Sequence, residues 1–421
     1  MNRDQVALLG CECYNRITCS HHGRKEWLAF RVGKRIIPNE ATLKRDSEMR
    51  IAFVNHWHVS FGGGAEVWLD SIRRALRDRG HDSSVFTPSR GRTGPFVSDM
   101  GGEVITKSRL VQFASALGLS NLDAPLFFPR IPASFDVIYS TSVFPMLLAA
   151  RNRQPLILGT HDAFVSDVSS VKDKPRGAMM PLISILSKKR RVFIHSLTSM
   201  QTALFQTTGA PVYEIPPDVI ITTTHQRPVL SDAFRILFLG RLESRKGGEL
   251  LIEVAKSLGR RQNVEFRVAG RVDPEMKRRF DRGLNCPRLE LLGYVSNSQR
   301  DDLLVNSDVL LLLSDREACP LVALEAWSRG MIVLSTWSPL ARLSVDGATV
   351  VVPRTAEGVC LGLSQLYDRW SADRSSFETL RKSIADRTLA TRNPETSVDA
   401  FVSMLQTAVS PATSDDGRTA A

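Results

Sequence analysis

Two glutamates eight residues apart, Glu317 and Glu325, are the side chains of this sequence best placed to do chemistry. The apolar run 309–313 precedes them and a second run, 331–335, follows. This pattern predicts strand, loop, helix and strand, with the first carboxylate on the loop and the second inside the helix. Because ligands of open α/β sheets bind at the carboxyl ends of the strands, the pair predicts a long ligand held at two points.

The spacing of the two carboxylates argues against a shared proton. Pro320 is predicted in the first turn of the helix, which places Glu325 about five residues further on and roughly 7–8 Å along the axis. A retaining glycosidase holds its two carboxylates only about 5–5.5 Å apart. We interpret Glu317 and Glu325 as two separate acceptors for hydroxyl groups. The alternative is one loop carboxylate and one solvated helix carboxylate.

A glycine-rich basic segment, residues 240–248, follows another apolar strand. Gly240 and its neighbouring glycines let the backbone turn tightly and approach a ligand. Arg241 and Lys246 add positive charge, and the helix that begins near Glu249 adds its N-terminal dipole. The segment predicts a phosphate-binding site; the alternative is a surface loop with ordinary basic residues.

Two further loops could contact the same ligand. Gly62, Gly63 and Gly64 open the first helix without the spacing of the dinucleotide fingerprint, and such a loop suits an anion or a sugar. His161 follows the strand 156–160, where a histidine can make a polar contact or carry a proton. The alternatives are a plain turn and a structural histidine.

The basic charge of the chain indicates an anionic partner. The net charge is +11, from 55 Lys and Arg against 44 Asp and Glu, which suits phosphorylated substrates, an anionic membrane or nucleic acid. The run 188–191 is the densest in basic residues and follows the apolar segment 182–186. It can lie on a membrane surface or simply end a helix in solvent. A nucleic acid is disfavoured because the chain has no clustered aromatic and basic motif.

The composition favours a cytosolic protein. No stretch approaches the roughly 18 apolar residues of a membrane span, and residues 1–30 lack the apolar core of a signal peptide. The six cysteines are scattered and form no disulfide framework. We therefore expect the reducing cytosol, with a peripheral position at the inner face of the membrane as a further possibility.

Two series of alternating strands and helices predict an α/β protein with two similar halves and a cleft between them. The first series begins at Met49, and the proline-containing segment 213–218 is interpreted as a linker. Residues 1–48 are predicted to be a poorly ordered extension or the product of a start codon assigned too early. A last helix covers about 395–409, and the polar tail 410–421 is predicted to be disordered.

The order of these motifs resembles that of the family 4 retaining glycosyltransferases, which have the GT-B fold of two Rossmann-like domains facing a cleft. The resemblance covers about residues 49–405. It implies an N-terminal acceptor domain, 49–215, a C-terminal nucleotide-sugar domain, 216–394, and a terminal helix that can cross back to the N-terminal domain. The motifs that carry it are residues 50–55, 62–66, 159–162, 240–247 and 293–296, and Glu317 and Glu325 with Gly330.

The resemblance also implies roles for single residues. Arg241 and Lys246 would hold the nucleotide diphosphate, Glu325 the ribose hydroxyls and Glu317 the transferred sugar. His161 would lie beside the donor sugar and the acceptor. The remaining residues implied at the donor are the glycines that approach the phosphate and the start of the helix that carries Glu325, namely Gly62, Gly63, Gly64, Gly240, Pro320 and Leu321.

The implied mechanism uses neither a metal ion nor a cofactor. Arg241, Lys246 and helix-terminal amides can stabilise the charge that develops on the leaving diphosphate, and the chain has no Asp-x-Asp pair for a cation. Two departures from the family pattern affect the donor site. Pro320 stands where glycine is frequent and removes a backbone N–H, and the segment 338–341 replaces the usual Gly-Gly.

The sequence thus predicts a glycosyltransferase that moves a sugar from a nucleotide-sugar to a lipid-linked or polysaccharide acceptor. Two alternatives remain open. One is a nucleotide-sugar epimerase of the same fold, and the other is a degenerate protein that binds nucleotides or glycans without turnover.

Overall fold

A computed structural model of the chain describes most of the residues from 48 onward. The predicted extension 1–48 and tail 410–421 lie outside the described residues, apart from residues 48, 410 and 411. The described ranges are 48–57, 62–88, 101–117, 126–145, 147–161, 179–221, 232–258, 263–283 and 289–411.

The N-terminal half contains a parallel sheet, sheet A, whose strands lie in the order β3-β2-β1-β4-β5-β6-β7. The order reverses between β1 and β4, and ligands of such sheets bind at the carboxyl ends of the strands at this reversal. The strands are β1 (Arg50–Val54), β2 (Asp82–Pro88), β3 (Glu103–Thr106), β4 (Val137–Ser140), β5 (Leu156–Gly159), β6 (Val192–Ser196) and β7 (Val212–Glu214).

Apolar side chains cover both faces of sheet A because its strands are buried on both sides. Ile51 and Phe53 of β1 pack toward one layer of helices, and Ala52 and Val54 pack into a separate core on the other face. The helices described in this half are α1 (Gly64–Asp78), α2 (Arg109–Ala116), α3 (Leu148–Arg151), α4 (Met179–Lys189) and α5 (Ser199–Gln206).

The C-terminal half contains a second parallel sheet, sheet B, in the order β10-β9-β8-β11-β12-β13. Its order reverses between β8 and β11, so the loops that leave these two strands start side by side. The strands are β8 (Phe234–Leu239), β9 (Val264–Ala269), β10 (Leu289–Gly293), β11 (Val309–Leu312), β12 (Ile332–Ser335) and β13 (Thr349–Val351).

The last helix of the chain returns to the N-terminal half. Its Phe401 packs on Trp68 of α1 and Tyr139 of β4, with ring centroids 5.6 and 5.3 Å apart. Arg79, which follows α1, pairs with Glu395 and Asp399 of the same helix. The helices from residue 248 onward are α6 (Gly248–Leu258), α7 (Pro274–Gly283), α8 (Asn297–Val305), α9 (Leu321–Ser328), α10 (Ala356–Ala372), α11 (Arg374–Thr391) and α12 (Pro394–Val409).

The prediction of two parallel α/β halves is confirmed, and two finer predictions are wrong. The interpreted linker 213–218 starts inside β7, because Tyr213 and Glu214 continue the ladder beside β6. Pro320 is the N-cap residue of α9, one position before the first turn, with φ −75° and ψ 98°. This extended conformation lets its carbonyl accept the amide of Ala323 at 2.9 Å.

Candidate active site

Lys246 and Glu317 meet where the strand order of sheet B reverses. The Lys246 ammonium donates to Oε1 of Glu317 at 2.5 Å, and the Ser314 hydroxyl donates to the same oxygen at 2.5 Å. The Glu317 residue is only 6% exposed. Burial acts to raise the pKa of this carboxyl, but Lys246 and Ser314 outweigh it and hold the pKa below its usual value. Glu317 is therefore an ionised carboxylate.

The loop that carries Lys246 is fixed by its own backbone and by the loop of Glu317. Residues Ser244–Lys246 form a 3₁₀ turn, and Gly247 ends it in the left-handed region with φ 83°. Arg245 donates to the carbonyl of Arg316 at 3.0 Å, and the amide of Asp315 donates to the carbonyl of Arg245 at 3.0 Å. These bonds hold the ammonium of Lys246 against the carboxylate of Glu317.

Arg241 directs its charge toward the N-terminal half. It follows Gly240, whose φ of 152° is an angle that glycine adopts readily. The Nη1 of Arg241 donates to Oε2 of Glu243 at 3.1 Å. Burial raises the pKa of Glu66 in α1, and a hydrogen bond from Asn55 and the charge of Arg241 offset part of that rise. Arg241 thus acts electrostatically on a carboxyl group of the opposite half.

Glu325 lies inside α9, as predicted, and is bonded to Arg300 of α8. It is 4% exposed. Burial raises its pKa, and the charges of Arg300 and Arg329 offset part of the rise. Glu317 and Glu325 therefore have separate cationic partners, which agrees with two independent carboxylates. The sequence does not indicate Arg300 as a site residue, since nothing in its spacing from Glu325 marks the two as neighbours.

The glycine loop, Gly62 and Gly63 with the first helical residue Gly64, is organised by a buried carboxylate. The amide of Gly63 donates to Oε2 of Glu66 at 2.8 Å, and Asn55 donates to Oε1 at 2.9 Å. The Gly63 amide is thus engaged within the protein, while the first-turn amides of Gly64 and Ala65 have no acceptor within the helix. Any anion at this loop would be bound by those amides. Gly62 has a φ of 67° and supplies the turn.

The glycine loop lies close to the start of α9. A Cβ added to Gly64 would lie 3.6 Å from Cδ1 of Leu321, so the two predicted donor loops approach one another at this point. Gly64 and Leu321, which form this contact, carry no charge. An alanine at position 64 would make an ordinary van der Waals contact with Leu321.

His161 follows the carboxyl end of β5 and contacts residues of its own half. Its Nε2 lies 2.9 Å from the Tyr139 hydroxyl, and its ring centroid lies 4.2 Å from that of Trp68. Burial, with a contribution from the neighbouring His195, holds the pKa of His161 well below its usual value. Burial also lowers the pKa of His195 to about 4. Both imidazoles are therefore neutral near pH 7.

The structure brings Lys246 to Glu317, Arg241 toward Glu66, and Gly64 to Leu321. The described contacts of Glu325 and His161 lead instead to Arg300 and Tyr139. In the described part of the chain, no three His, Cys, Asp or Glu side chains are grouped so that they could hold a metal ion.

Family comparisons divide the chain at the same place as its two sheets. Residues 62–201 match the model described as Glycosyltransferase Family 4, and residues 221–360 match the model described as Glycosyl transferases group 1. The first match includes the glycine loop and His161. The second includes Arg241, Lys246, Glu317 and Glu325.

Three similar proteins agree with these matches. A phosphatidyl-myo-inositol mannosyltransferase of Mycolicibacterium smegmatis is 24% identical over 319 residues, which are 71% of this chain and 79% of the relative. An uncharacterized glycosyltransferase of Methanocaldococcus jannaschii is 27% identical over 169 residues, 38% of this chain and 42% of the relative. The structure of Anabaena HepE with UDP and glucose has a TM-score of 0.60 at 16% identity, covering 86% of this chain and 100% of that one. It shows a shared fold.

Replacing Gly247 by alanine should destabilise the protein more than the same change at Gly209. Both glycines have positive φ, 83° and 72°, so each variant loses about 1–2 kcal/mol to backbone strain. Only at Gly247 would the new Cβ lie 2.5 Å from Cβ and the carbonyl oxygen of Leu313, which adds about 1–3 kcal/mol. Urea unfolding of the two variants measures the difference, and equal losses would contradict the close approach.

The free energy of unfolding should fall as the pH is lowered from about 6.5 to about 4. The unfolded chain binds a proton at His195 near pH 6.5, whereas the folded protein binds it only near pH 4. Unfolding is therefore favoured by about 3 kcal/mol across this window. The measurement is urea unfolding against pH for the wild type and His195→Gln. The difference between the two curves isolates this residue, and parallel curves would contradict the prediction.

Proposed function

Because this chain belongs to glycosyltransferase family 4, we propose that it is a retaining, metal-independent glycosyltransferase that moves a sugar from a nucleotide-sugar to a lipid-linked or polysaccharide acceptor. The observation that carries the proposal is the ion pair of Lys246 with the buried Glu317 at the reversal of sheet B. It combines a cation suited to phosphate with a carboxylate suited to sugar hydroxyls. The complex of HepE with UDP and glucose supports a nucleotide-sugar as the donor.

We assign the two ends of the donor to the two separate carboxylates. Glu325 accepts the ribose hydroxyls, and Glu317 contacts the transferred sugar. Arg241 and Lys246 bind the diphosphate between these ends, together with the first-turn amides of α6. Gly64, beside Leu321, leaves room for the donor to approach the backbone of the glycine loop.

Charge stabilisation is the main catalytic effect in this assignment. The acceptor hydroxyl forms a bond to the anomeric carbon, the bond from that carbon to the diphosphate oxygen breaks, and the hydroxyl proton passes to that departing oxygen on the same face of the sugar. Negative charge then develops on the diphosphate, where Lys246 and Arg241 are fixed in advance by their loops. Since Glu317 is ionised, it accepts hydrogen bonds from the sugar and donates none. His161 lies beside the transferred sugar.

Removing the ammonium of Lys246 should abolish most of the donor binding and turnover. We expect Lys246→Ala to weaken donor affinity by at least about tenfold, because a charge-assisted bond to phosphate is lost, and to lower kcat by about 10²-fold. The assay is a thermal-shift screen of UDP-, GDP- and ADP-sugars followed by donor hydrolysis. Lys256→Ala, on the exposed side of α6, is the matched control.

The outcome also separates the alternative functions. An epimerase would convert the donor to a second nucleotide-sugar without an acceptor, and a degenerate binding protein would be stabilised by a donor that it never consumes. If Lys246→Ala and Glu325→Ala bind and hydrolyse the donor as the wild type does, the assigned site is wrong.

We further propose that the acceptor side of the enzyme contacts an anionic membrane from the cytoplasm. Helix α4 exposes Leu182 and Ile185, the latter 52% exposed, and continues into Lys188 and Lys189 on the solvent side. An apolar stripe beside basic residues favours an anionic lipid surface. Phe113 of α2, 65% exposed, adds to the apolar surface of this half. Among the described helices, none is long and apolar enough to cross a membrane.

A lipid-linked acceptor would require this membrane contact. The mannosyltransferase of Mycolicibacterium smegmatis is named for a phosphatidyl-inositol substrate, and an enzyme with such an acceptor must reach a lipid headgroup at the bilayer surface.

Reversing two charges of α4 should release the protein from anionic vesicles. We expect Lys188→Glu with Lys189→Glu to lower binding to phosphatidylglycerol vesicles by about thirtyfold or more, since each basic residue contributes about 1 kcal/mol. Lys256→Glu with Lys382→Glu makes the same change of net charge at exposed sites of the other half and should leave binding nearly intact. Vesicle flotation measures both, and equal loss would show that only the net charge matters.

A further inference from the structure

A line of hydrogen bonds runs from His161 into the core of the N-terminal half. Nε2 of His161 lies 2.9 Å from the hydroxyl oxygen of Tyr139, and that oxygen lies 2.6 Å from Nδ1 of His195. Nε2 of His195 lies 2.9 Å from the carbonyl oxygen of Ile215. The line therefore connects the carboxyl end of β5 with the segment that follows β7.

The chemistry of the last acceptor fixes the position of every proton in the line. A carbonyl oxygen only accepts, so Nε2 of His195 must carry a hydrogen, and Nδ1 of this neutral ring is then an acceptor. The Tyr139 hydroxyl must donate to that Nδ1. Its oxygen is left as an acceptor, and the Nε2 of His161 must therefore carry a hydrogen as well. Nδ1 of His161 keeps its lone pair.

The surroundings of the line keep both rings neutral and in place. Tyr139 is fully buried, and Trp68 and Phe401 pack against it and against His195. A Cβ added to Gly159 would lie 2.4 Å from the Tyr139 hydroxyl, so the glycine makes the space that this hydroxyl occupies. Burial holds the pKa of both histidines below the usual value, which excludes a second proton near pH 7.

We propose that Tyr139 and His195 are positioning residues that fix His161 as the Nε2–H tautomer and so present an unprotonated Nδ1 to the substrates. This inference rests on the proposed function, in which His161 lies beside the transferred sugar. Since Nε2 of His161 is engaged by the buried Tyr139, Nδ1 is the ring nitrogen that remains for a substrate. At that nitrogen His161 accepts a hydrogen bond from a hydroxyl and cannot donate one.

The tautomer can be tested without any substrate. In the full-length protein labelled with ¹⁵N-histidine, proton–nitrogen correlation spectra show which nitrogen of each ring carries hydrogen, and His161→Gln and His195→Gln identify the signals. We expect the Nε2–H form for both rings. In Tyr139→Phe we expect His161 to populate both neutral tautomers instead of the Nε2–H form alone. A wild-type His161 in the Nδ1–H form, or an unchanged His161 signal in Tyr139→Phe, would overturn the proposal.

Matched variants of His195 test the direction of the line. Glutamine can accept from Tyr139 with its carbonyl and donate to Ile215 with its amide, so His195→Gln should keep the tautomer of His161. His195→Leu can do neither and should lose it. The same loss in both variants would show that only the packing of the imidazole matters and would overturn the proposal.

Donor hydrolysis provides the kinetic readout. We expect Tyr139→Phe and His195→Leu to lower kcat by about tenfold to hundredfold with little change in the KM of the donor, the range seen when the hydrogen-bond partners of metal-ligating histidines are removed. His195→Gln should retain most of the activity. Tyr213→Phe, on neighbouring β7, removes a hydroxyl from the same sheet and should match the wild type.

The two experiments separate failure of this inference from failure of the proposed function. A wild-type protein that hydrolyses no nucleotide-sugar contradicts the proposed function, and the spectra still decide the tautomer. Hydrolysis that is equal in the wild type, Tyr139→Phe and His195→Leu contradicts the positioning role while the proposed function stands.

Discussion

The bond between Lys246 and Glu317 joins two loops that are 71 residues apart in sequence. It forms because β8 and β11 are neighbours at the reversal of sheet B, so that loops from distant parts of the chain start side by side. An unpaired buried charge would cost several kcal/mol, and Glu317 is almost fully buried. The ion pair therefore requires the two loops to hold one geometry, which Arg245 reinforces through the carbonyl of Arg316.

Other buried carboxylates of the cleft are also paired within the protein. Glu325 is compensated by Arg300, and Glu66 is compensated by Asn55 and the amide of Gly63. These buried carboxylates are thus paired within the protein before a ligand enters. A nucleotide-sugar of the proposed kind would exchange these bonds for its own phosphates and hydroxyls. The exchange suits a site that must bind and release its ligand, because neither state leaves a buried charge without a partner.

The sequence predicts the central strands and the signature carboxylates well because these signals are local. The run that forms β11 and the helix that carries Glu325 are both continuous in sequence. The edge strands β3 and β7 were missed because the residues of β3 are mostly exposed, those of β7 are only partly buried, and neither strand has a buried apolar run. Arg300 and the Tyr139–His195 bond could not be predicted, since their partners are 25 and 56 residues away and only the folded sheets bring them together.

The packing of α12 on the N-terminal half contributes to the low pKa of His195. Phe401 lies with its ring centroid 5.5 Å from that of His195 and covers the same cluster that contains Tyr139. The desolvation that lowers the pKa of His195 therefore comes partly from a residue at the far end of the chain. Arg79 pairs with Glu395 and Asp399 in the first two turns of this helix, so the burial of His195 depends in part on the docking of α12. The terminal helix thus contributes to the burial that keeps His195, the residue behind His161, neutral.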